Sequence, residues 1–210
     1  MYDVSIIDIK MGNLKSIKEA CNHVGLKCAI TNKPKIINAS KCIILPGVGS
    51  FPQAMKNLKK LKLVDTIYNF NKSKKLIIGI CLGMQLLFEE SLEIKQTRGL
   101  GLIKGKVTRS SFNNKKTINI GWEKVFVRKK NALLSKKNTN KKFYFIHKYF
   151  CQPKNKYNIL AHSKFNNSLF CAAIKFKNIE AYQFHPEKSG LNGLKIYNNI
   201  KKKINSEKFI

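Results

Sequence analysis

Six cysteines occur in this chain, and Cys81 alone has neighbours that suit chemistry. Gly79-Ile80-Cys81-Leu82-Gly83 follows an apolar run and precedes a stretch with helical spacing. Gly-x-Cys-x-Gly is the cysteine form of the nucleophile elbow, a sharp turn from strand to helix. Such a turn crowds its neighbours, so residues without Cβ are needed on both sides. The turn lifts the sulfur out of the sheet end. The helix that follows favours thiolate over thiol, and the Leu82 N–H points to where a tetrahedral oxyanion forms. A buried cysteine at an ordinary strand–loop–helix junction is the competing reading, and the paired glycines argue against it.

His185-Pro186-Glu187 supplies what a cysteine nucleophile lacks. The imidazole can take the thiol proton and later protonate a leaving group. Glu187 is close enough in sequence to orient the other ring nitrogen, and Pro186 stiffens the link. A surface histidine beside a solvated glutamate would fit the same residues. Of the other histidines, His23 falls in a helix, His162 ends a strand among polar residues, and His147 follows Tyr144-Phe145-Ile146 within reach of a site rim. Pro46-Gly47-Val48-Gly49, also at a strand end, can turn its N–H groups outward and complete an oxyanion hole opposite Cys81. A phosphate-binding turn or a plain loop remains open there.

The elements that must position these groups alternate in the first half. Strands are expected at Val4–Asp8, Lys27–Thr31, Cys42–Leu45 and Lys75–Ile80. Asn13 suits the cap of a helix whose Leu14, Ile17, Cys21 and Val24 share a face, with Gly25 as its stop. Further helices are expected over Phe51–Lys60, over Leu63–Phe70 and after Cys81 through Met84, Leu87 and Phe88. Strands alternating with helices imply a parallel sheet covered on both faces, with ligands beyond the carboxyl ends of its strands. The second half reads as short strands joined by polar turns: Leu102–Thr108, Thr117–Ile120, Lys124–Arg128, Phe143–His147, Ile159–His162, Leu169–Phe176 and Glu180–Phe184. This predicts an antiparallel section beside the parallel sheet, closed by a helix over Leu191–Ile204 with Leu194, Tyr197 and Ile200 inward. Lys136–Lys142 is expected to be a surface loop. There is no internal repeat and no interdomain linker, so one domain over residues 1–210 is expected.

The totals bound the function. The 210 residues, 43 % hydrophobic, can bury a substantial core. No apolar run approaches the roughly 20 residues that span a bilayer, and no basic leader with an apolar core opens the chain, so a cytoplasmic protein without membrane contact is expected. No cysteine spacing suits a metal or a disulfide framework, so neither a metal nor a cofactor is expected. The net charge of +30 invites a nucleic-acid partner. Only three of the 41 basic residues are arginine, however, and the lysines are spread along the chain, so a solvated surface and no nucleic-acid partner are expected.

The block Gly79-Ile-Cys-Leu-Gly-Met-Gln85-Leu-Leu-Phe-Glu89, taken with Gln183-Phe-His-Pro-Glu-Lys-Ser-Gly190, resembles the class I, triad-type glutamine amidotransferases. Pro46 to Phe51, Met11 to Leu14 and Gly99 to Ile103 make it similar to the glutaminase subunits of imidazole glycerol phosphate synthase. The resemblance implies a flavodoxin-like fold and hydrolysis of glutamine to glutamate and ammonia. Cys81 would be nucleophile, His185 proton carrier and Glu187 its orienting group. Val48, Gly49 and Leu82 would line the oxyanion site, and Gln85 would help hold glutamine. It also implies a (β/α)8-barrel cyclase partner in a heterodimer, which turns the ammonia into imidazole glycerol phosphate and an aminoimidazole carboxamide ribonucleotide. Related subunits feed ammonia to sugar amidotransferases in surface-polysaccharide synthesis, and that acceptor is the alternative. The chain departs from the family's usual residues at Ile9-Lys10, at Glu123 and at Lys148. A cysteine hydrolase of another class and a basic binding module explain the combined blocks less well.

Overall fold

The computed structural model describes residues 1–109 and 118–206. Five strands run parallel in the order β2 (Cys28–Thr31), β1 (Val4–Ile7), β3 (Cys42–Leu45), β4 (Leu76–Ile80) and β13 (Ile179–Tyr182). This is the flavodoxin-like order, and β3 and β4 are apolar along their whole length because both faces are covered. The sheet then continues antiparallel through β12 (Ser168–Phe176), β11 (Ile159–Phe165), β8 (Asn119–Val127) and β9 (Lys141–His147). A second sheet of four strands stacks β10 (Tyr149–Pro153), β7 (Ile103–Arg109), β5 (Phe88–Ser91) and β6 (Thr97–Arg98).

Helices cover the parallel part as its sequence requires. Helix α1 (Leu14–His23) starts at Asn13, whose side chain accepts the Ser16 N–H, and buries Ile17 and Cys21. Gly25 ends that helix in the left-handed region, at φ 71°. Helices α3 (Phe51–Lys60) and α4 (Leu63–Lys72) bury Met55, Leu58, Ile67 and Phe70 against one face of the sheet. The terminal helix α6 (Gly190–Ser206) packs Ile196, Tyr197 and Ile200 against the other face, with α1. Leu194 of the expected stripe is only partly buried.

Several boundaries differ from expectation. The helix after Cys81, α5, spans only Leu82–Leu86, and Phe88 already begins β5. Leu87 and Phe88 are fully buried, and a short apolar run alone does not separate helix from strand. The expected strands over Thr117–Ile120 and Lys124–Arg128 are one strand, β8, continuous through Gly121-Trp122-Glu123; Thr117 lies outside the described residues. Strand β13 belongs to the parallel part, hydrogen-bonded to β4. The supposed surface loop is a short 3-10 turn, Lys136–Asn138, leading into β9, with Asn138 buried. Helix α2 (Pro34–Ala39) and strands β5, β6 and β10 carried too little periodicity to be foreseen. No described helix is long and apolar enough to cross a membrane.

Candidate active site

Three segments meet at the carboxyl ends of the parallel strands: the turn after β4, the loop after β3 and the turn after β13. Cys81 leaves β4 with φ 52° and ψ −110°, a conformation costly for a residue with a side chain. Its N–H is tied to the Tyr182 carbonyl at 2.8 Å. The close approach of backbones explains the flanking glycines. A Cβ on Gly83 would lie 1.8 Å from the Leu45 carbonyl oxygen, and one on Gly79 would lie 2.9 Å from Met84 Cα. The loop after β3 presses on the elbow from the other side, since a Cβ on Gly47 would lie 2.8 Å from Leu82 Cβ. Val48, Gly49, Cys81, Leu82 and Gln85 all line one cavity of about 330 Å³, a size suited to a small ligand.

His185 stands just beyond the end of β13, the strand next to β4. Its N–H donates to the Tyr144 carbonyl at 2.9 Å. Its carbonyl accepts the Ser189 hydroxyl at 2.6 Å, and that hydroxyl accepts the Tyr144 N–H at 3.0 Å. The ring Nδ1–H donates to Glu187 Oε1 at 2.7 Å, with both side chains buried. The short 3-10 turn Pro186–Lys188 brings the carboxylate back to the ring. Burial alone would lower the His185 pKa. The charge of the neighbouring Cys81 sulfur, then the Glu187 carboxylate, outweigh it and raise the pKa to about 10. Among the described residues no hydrogen bond of normal geometry reaches Nε2, and the Cys81 sulfur acts on the ring first through its charge and then as a side-chain acceptor. In this resting arrangement Cys81 Sγ instead contacts the Ile146 carbonyl at 3.6 Å and accepts from Gln183 Nε2 at 3.7 Å. Catalytic hydrogen bonds often tighten only when substrate arrives.

The expected groups are thus brought together, with one change of emphasis. Helix α5 has only five residues, so its dipole is weak and the imidazole becomes the main positive neighbour of the sulfur. Gln85 is buried, with its Nε2 donating to the Tyr149 carbonyl at 3.1 Å and to Gln183 Oε1 at 3.2 Å. The other cysteines do not share this setting. Cys28 is half-buried, and a hydrogen bond from Cys21 pulls its thiol down to about 7, but it lies under helix α1, with Sγ 3.4 Å from the Asn22 side-chain oxygen. His23 is exposed, and His162 sits mid-strand in β11 opposite Phe126.

His147, expected within reach of a rim, lies in the site itself, and two further residues, Glu93 and Gln183, were not foreseen. His147 is a wall of the cavity rather than its rim: burial pushes its imidazole down to about 3, Nδ1–H donates to the Tyr149 carbonyl at 3.0 Å, and Nε2 accepts from Asn119 at 3.2 Å. Glu93 lines the same cavity and accepts the Phe51 N–H at 2.8 Å. Gln183 reaches the sulfur directly. Only the position of Gln183 within the block ending in His185 signalled it in the sequence. Lys10, where the family usually has glycine, takes the left-handed conformation at φ 60°, with Asp8 accepting its N–H at 2.8 Å. A side-chain acceptor two residues back thus substitutes for the missing glycine.

The family model for class-I glutamine amidotransferase matches residues 5–202. The chain is 42 % identical, over 91 % of its length and 90 % of the relative, to imidazole glycerol phosphate synthase subunit HisH 2 of Vibrio vulnificus. It is 39 % identical to the HisH subunit of Pyrococcus furiosus, over 96 % of this chain and all of that one. A solved glutamine amidotransferase superposes with TM-score 0.75 at 18 % identity, covering 97 % of this chain and 99 % of that one, which bears on fold alone. The chain therefore belongs to the class-I glutamine amidotransferases, within the group formed by the HisH subunits of imidazole glycerol phosphate synthase.

Proposed function

We propose that this chain is the glutaminase subunit of imidazole glycerol phosphate synthase, acting in histidine biosynthesis, with Cys81, His185 and Glu187 as its catalytic groups. The observation that carries the residue roles is the buried His185–Glu187 pair, 2.7 Å apart, on the strand adjacent to the one that ends in Cys81. The sulfur attacks the side-chain amide carbon of glutamine while its proton is held on His185 Nε2. The C–N bond breaks as His185 returns the proton to the departing ammonia, leaving a glutamyl thioester. Water, deprotonated by the same imidazole, then releases glutamate. The Leu82 and Val48–Gly49 amides stabilise the oxyanion, because both segments line the cavity beside the sulfur. Glu93 and Lys148, opposite charges that both line the cavity, suit the ammonium and carboxylate of a free amino acid.

The partner is a (β/α)8-barrel cyclase that receives the ammonia in a heterodimer. Support comes from the cavity mouth, where Val48, Ile120 and Ile146 are 42 %, 58 % and 39 % exposed, and Trp122 shares the β8 face with Ile120. The relatives' shared subunit name favours this acceptor over a sugar amidotransferase. One domain spans residues 1–210, since both core clusters pack on the nine-stranded sheet, and the protein works in the cytoplasm. Glutamate release by the complex is the test. Cys81→Ala should abolish it, at a cost above about 10⁴-fold, while Cys21→Ala, Cys28→Ala and Cys42→Ala leave it near the wild-type rate. Turnover by Cys81→Ala would end the reading.

A further inference from the structure

Gln183 is fully buried one strand residue beyond β13, between Tyr182 and Phe184, and its N–H is fixed to the Ala172 carbonyl at 2.9 Å. Its side chain makes three contacts. Nε2 donates to Cys81 Sγ at 3.7 Å. Oε1 accepts from Gln85 Nε2 at 3.2 Å and from the Cys151 thiol at 3.9 Å.

The direction of these bonds follows from the far end of the series. The Tyr149 carbonyl can only accept, so the Gln85 group facing it, at 3.1 Å, must be the NH2. That NH2 also meets Gln183, so Gln183 must turn its oxygen there. Its own NH2 is then left facing the sulfur. Turning the Gln183 amide over would set two donors against each other at Gln85. Cys151 acts in the same sense, because burial pushes its thiol well above the ordinary range and keeps it a donor. Gln183 does not line the substrate cavity, and its polar reach is spent within this network.

We propose that Gln183 is a further catalytic residue, whose amide N–H holds negative charge on Cys81 Sγ when the sulfur attacks and again when it leaves in thioester hydrolysis. This rests on Cys81 being the nucleophile. The bond strengthens when the sulfur is charged, since a hydrogen bond to an ion is about twice as strong as a neutral one. It is therefore strongest in the steps where charge gathers on sulfur and weakest in the neutral thioester between them. Gln85 and Cys151 position Gln183, and their contribution is to fix which end of the amide meets the sulfur.

The test compares Gln183→Leu and Gln183→Glu with the parent in a Cys28→Ser background, which removes the half-buried thiol outside the site. With the partner subunit present, kcat of Gln183→Leu should fall about 10- to 100-fold, with KM for glutamine within about twofold. Alkylation of Cys81 by iodoacetamide should slow in step, with its pH profile displaced to higher pH, and further still in Gln183→Glu, which sets a carboxyl against the sulfur. A role confined to packing would change thermal stability and leave the alkylation profile superimposed on the parent's. If kcat is unchanged, or the loss lies in KM alone, the proposal fails. Should both variants fail to fold, the unaltered chain decides by NMR: the Gln183 side-chain amide resonances should move on alkylation of Cys81, and their staying in place overturns the proposal. A chain in which Cys81→Ala retains turnover would remove the nucleophile reading itself. Loss of turnover in Cys81→Ala with normal Gln183→Leu kinetics would refute this inference alone.

Discussion

Around Cys81 the contacts that fix geometry are between backbones, whereas around His185 they are polar. The sulfur is set by a strained φ of 52° and by glycines that let two chain segments touch. The imidazole is set by a carboxylate at 2.7 Å, a serine hydroxyl at 2.6 Å and a neighbouring strand's carbonyl at 2.9 Å. Steric closeness has no gradation: a methyl group either fits or forces the chain apart. Hydrogen bonds can be weakened one at a time. The two halves of the site should therefore fail in different ways, abruptly at the elbow and by degrees at the imidazole.

The largest effect is expected at Gly83. A Cβ placed 1.8 Å from the Leu45 carbonyl oxygen meets only backbone, that of Leu45 and Pro46, with nothing flexible to yield. Gly83→Ala should cost about 3 kcal/mol or more and separate the elbow from the loop after β3, which chemical denaturation and glutamate release would both register. Normal stability in that variant would refute the steric account. Glu187→Gln keeps the shape and removes the charge. A glutamine can meet Nδ1 with either oxygen or NH2, so the ring loses its fixed tautomer and kcat should fall about 10²- to 10³-fold, with little loss of stability. Burial lowers the His185 pKa, and the Cys81 sulfur, followed by Glu187, outweighs it and raises the ring to about 10. In the wild type the ring should stay protonated to near that pH, and in Glu187→Gln its NMR titration should move downward. Ser189→Ala removes one support and leaves the Tyr144 N–H without its acceptor. His185 keeps the Lys188 N–H at 3.0 Å on its carbonyl, so activity should drop by less than about tenfold while stability falls by about 1–3 kcal/mol.

The same contrast explains what the sequence disclosed. The elbow was readable because steric demands are written in residue types: glycines at 79 and 83 have one physical reason to flank a cysteine at a strand end. Strands β3 and β4 were readable because burial on both faces makes them apolar throughout, as in Cys42–Leu45, whereas β13, with Glu180 inside it, was not read as parallel. His185 and Glu187 were readable as a pair because only one residue separates them, and the three-residue turn closes that gap. Partners brought in from distant strands were not. Nothing in Gln183 or His147 as letters says that one meets Cys81 and the other forms a cavity wall, because those contacts depend on which strands become neighbours. The length of α5 was missed for a related reason: Leu86, Leu87 and Phe88 are a short apolar run that does not separate helix from strand, and the choice falls to pairing of β5 with β7.

The smallest expected effect separates two buried carboxylates on the same side of the molecule. Glu187 has a positive partner, while Glu180 accepts from the Tyr182 hydroxyl at 2.6 Å, its Oε2 without a partner of normal geometry. Burial raises the Glu180 pKa above its ordinary value, more than the bonds it accepts and the charge of Lys175 lower it. A raised carboxyl pKa means that the folded chain prefers the proton. Well below pH 4.5 the group is neutral whether folded or unfolded, and it contributes no penalty. As pH rises the unfolded chain ionises first, so stability declines until the folded carboxyl ionises too. Glu180→Gln keeps the acceptor for Tyr182 and removes the ionisation. Its thermal stability should match the parent near pH 3 and exceed it at pH 8, with activity unchanged. A gain of equal size at both pH values would mean that packing, not charge, separates the two variants. A loss at pH 8 would mean that the ionised carboxylate is held as firmly at position 180 as at 187.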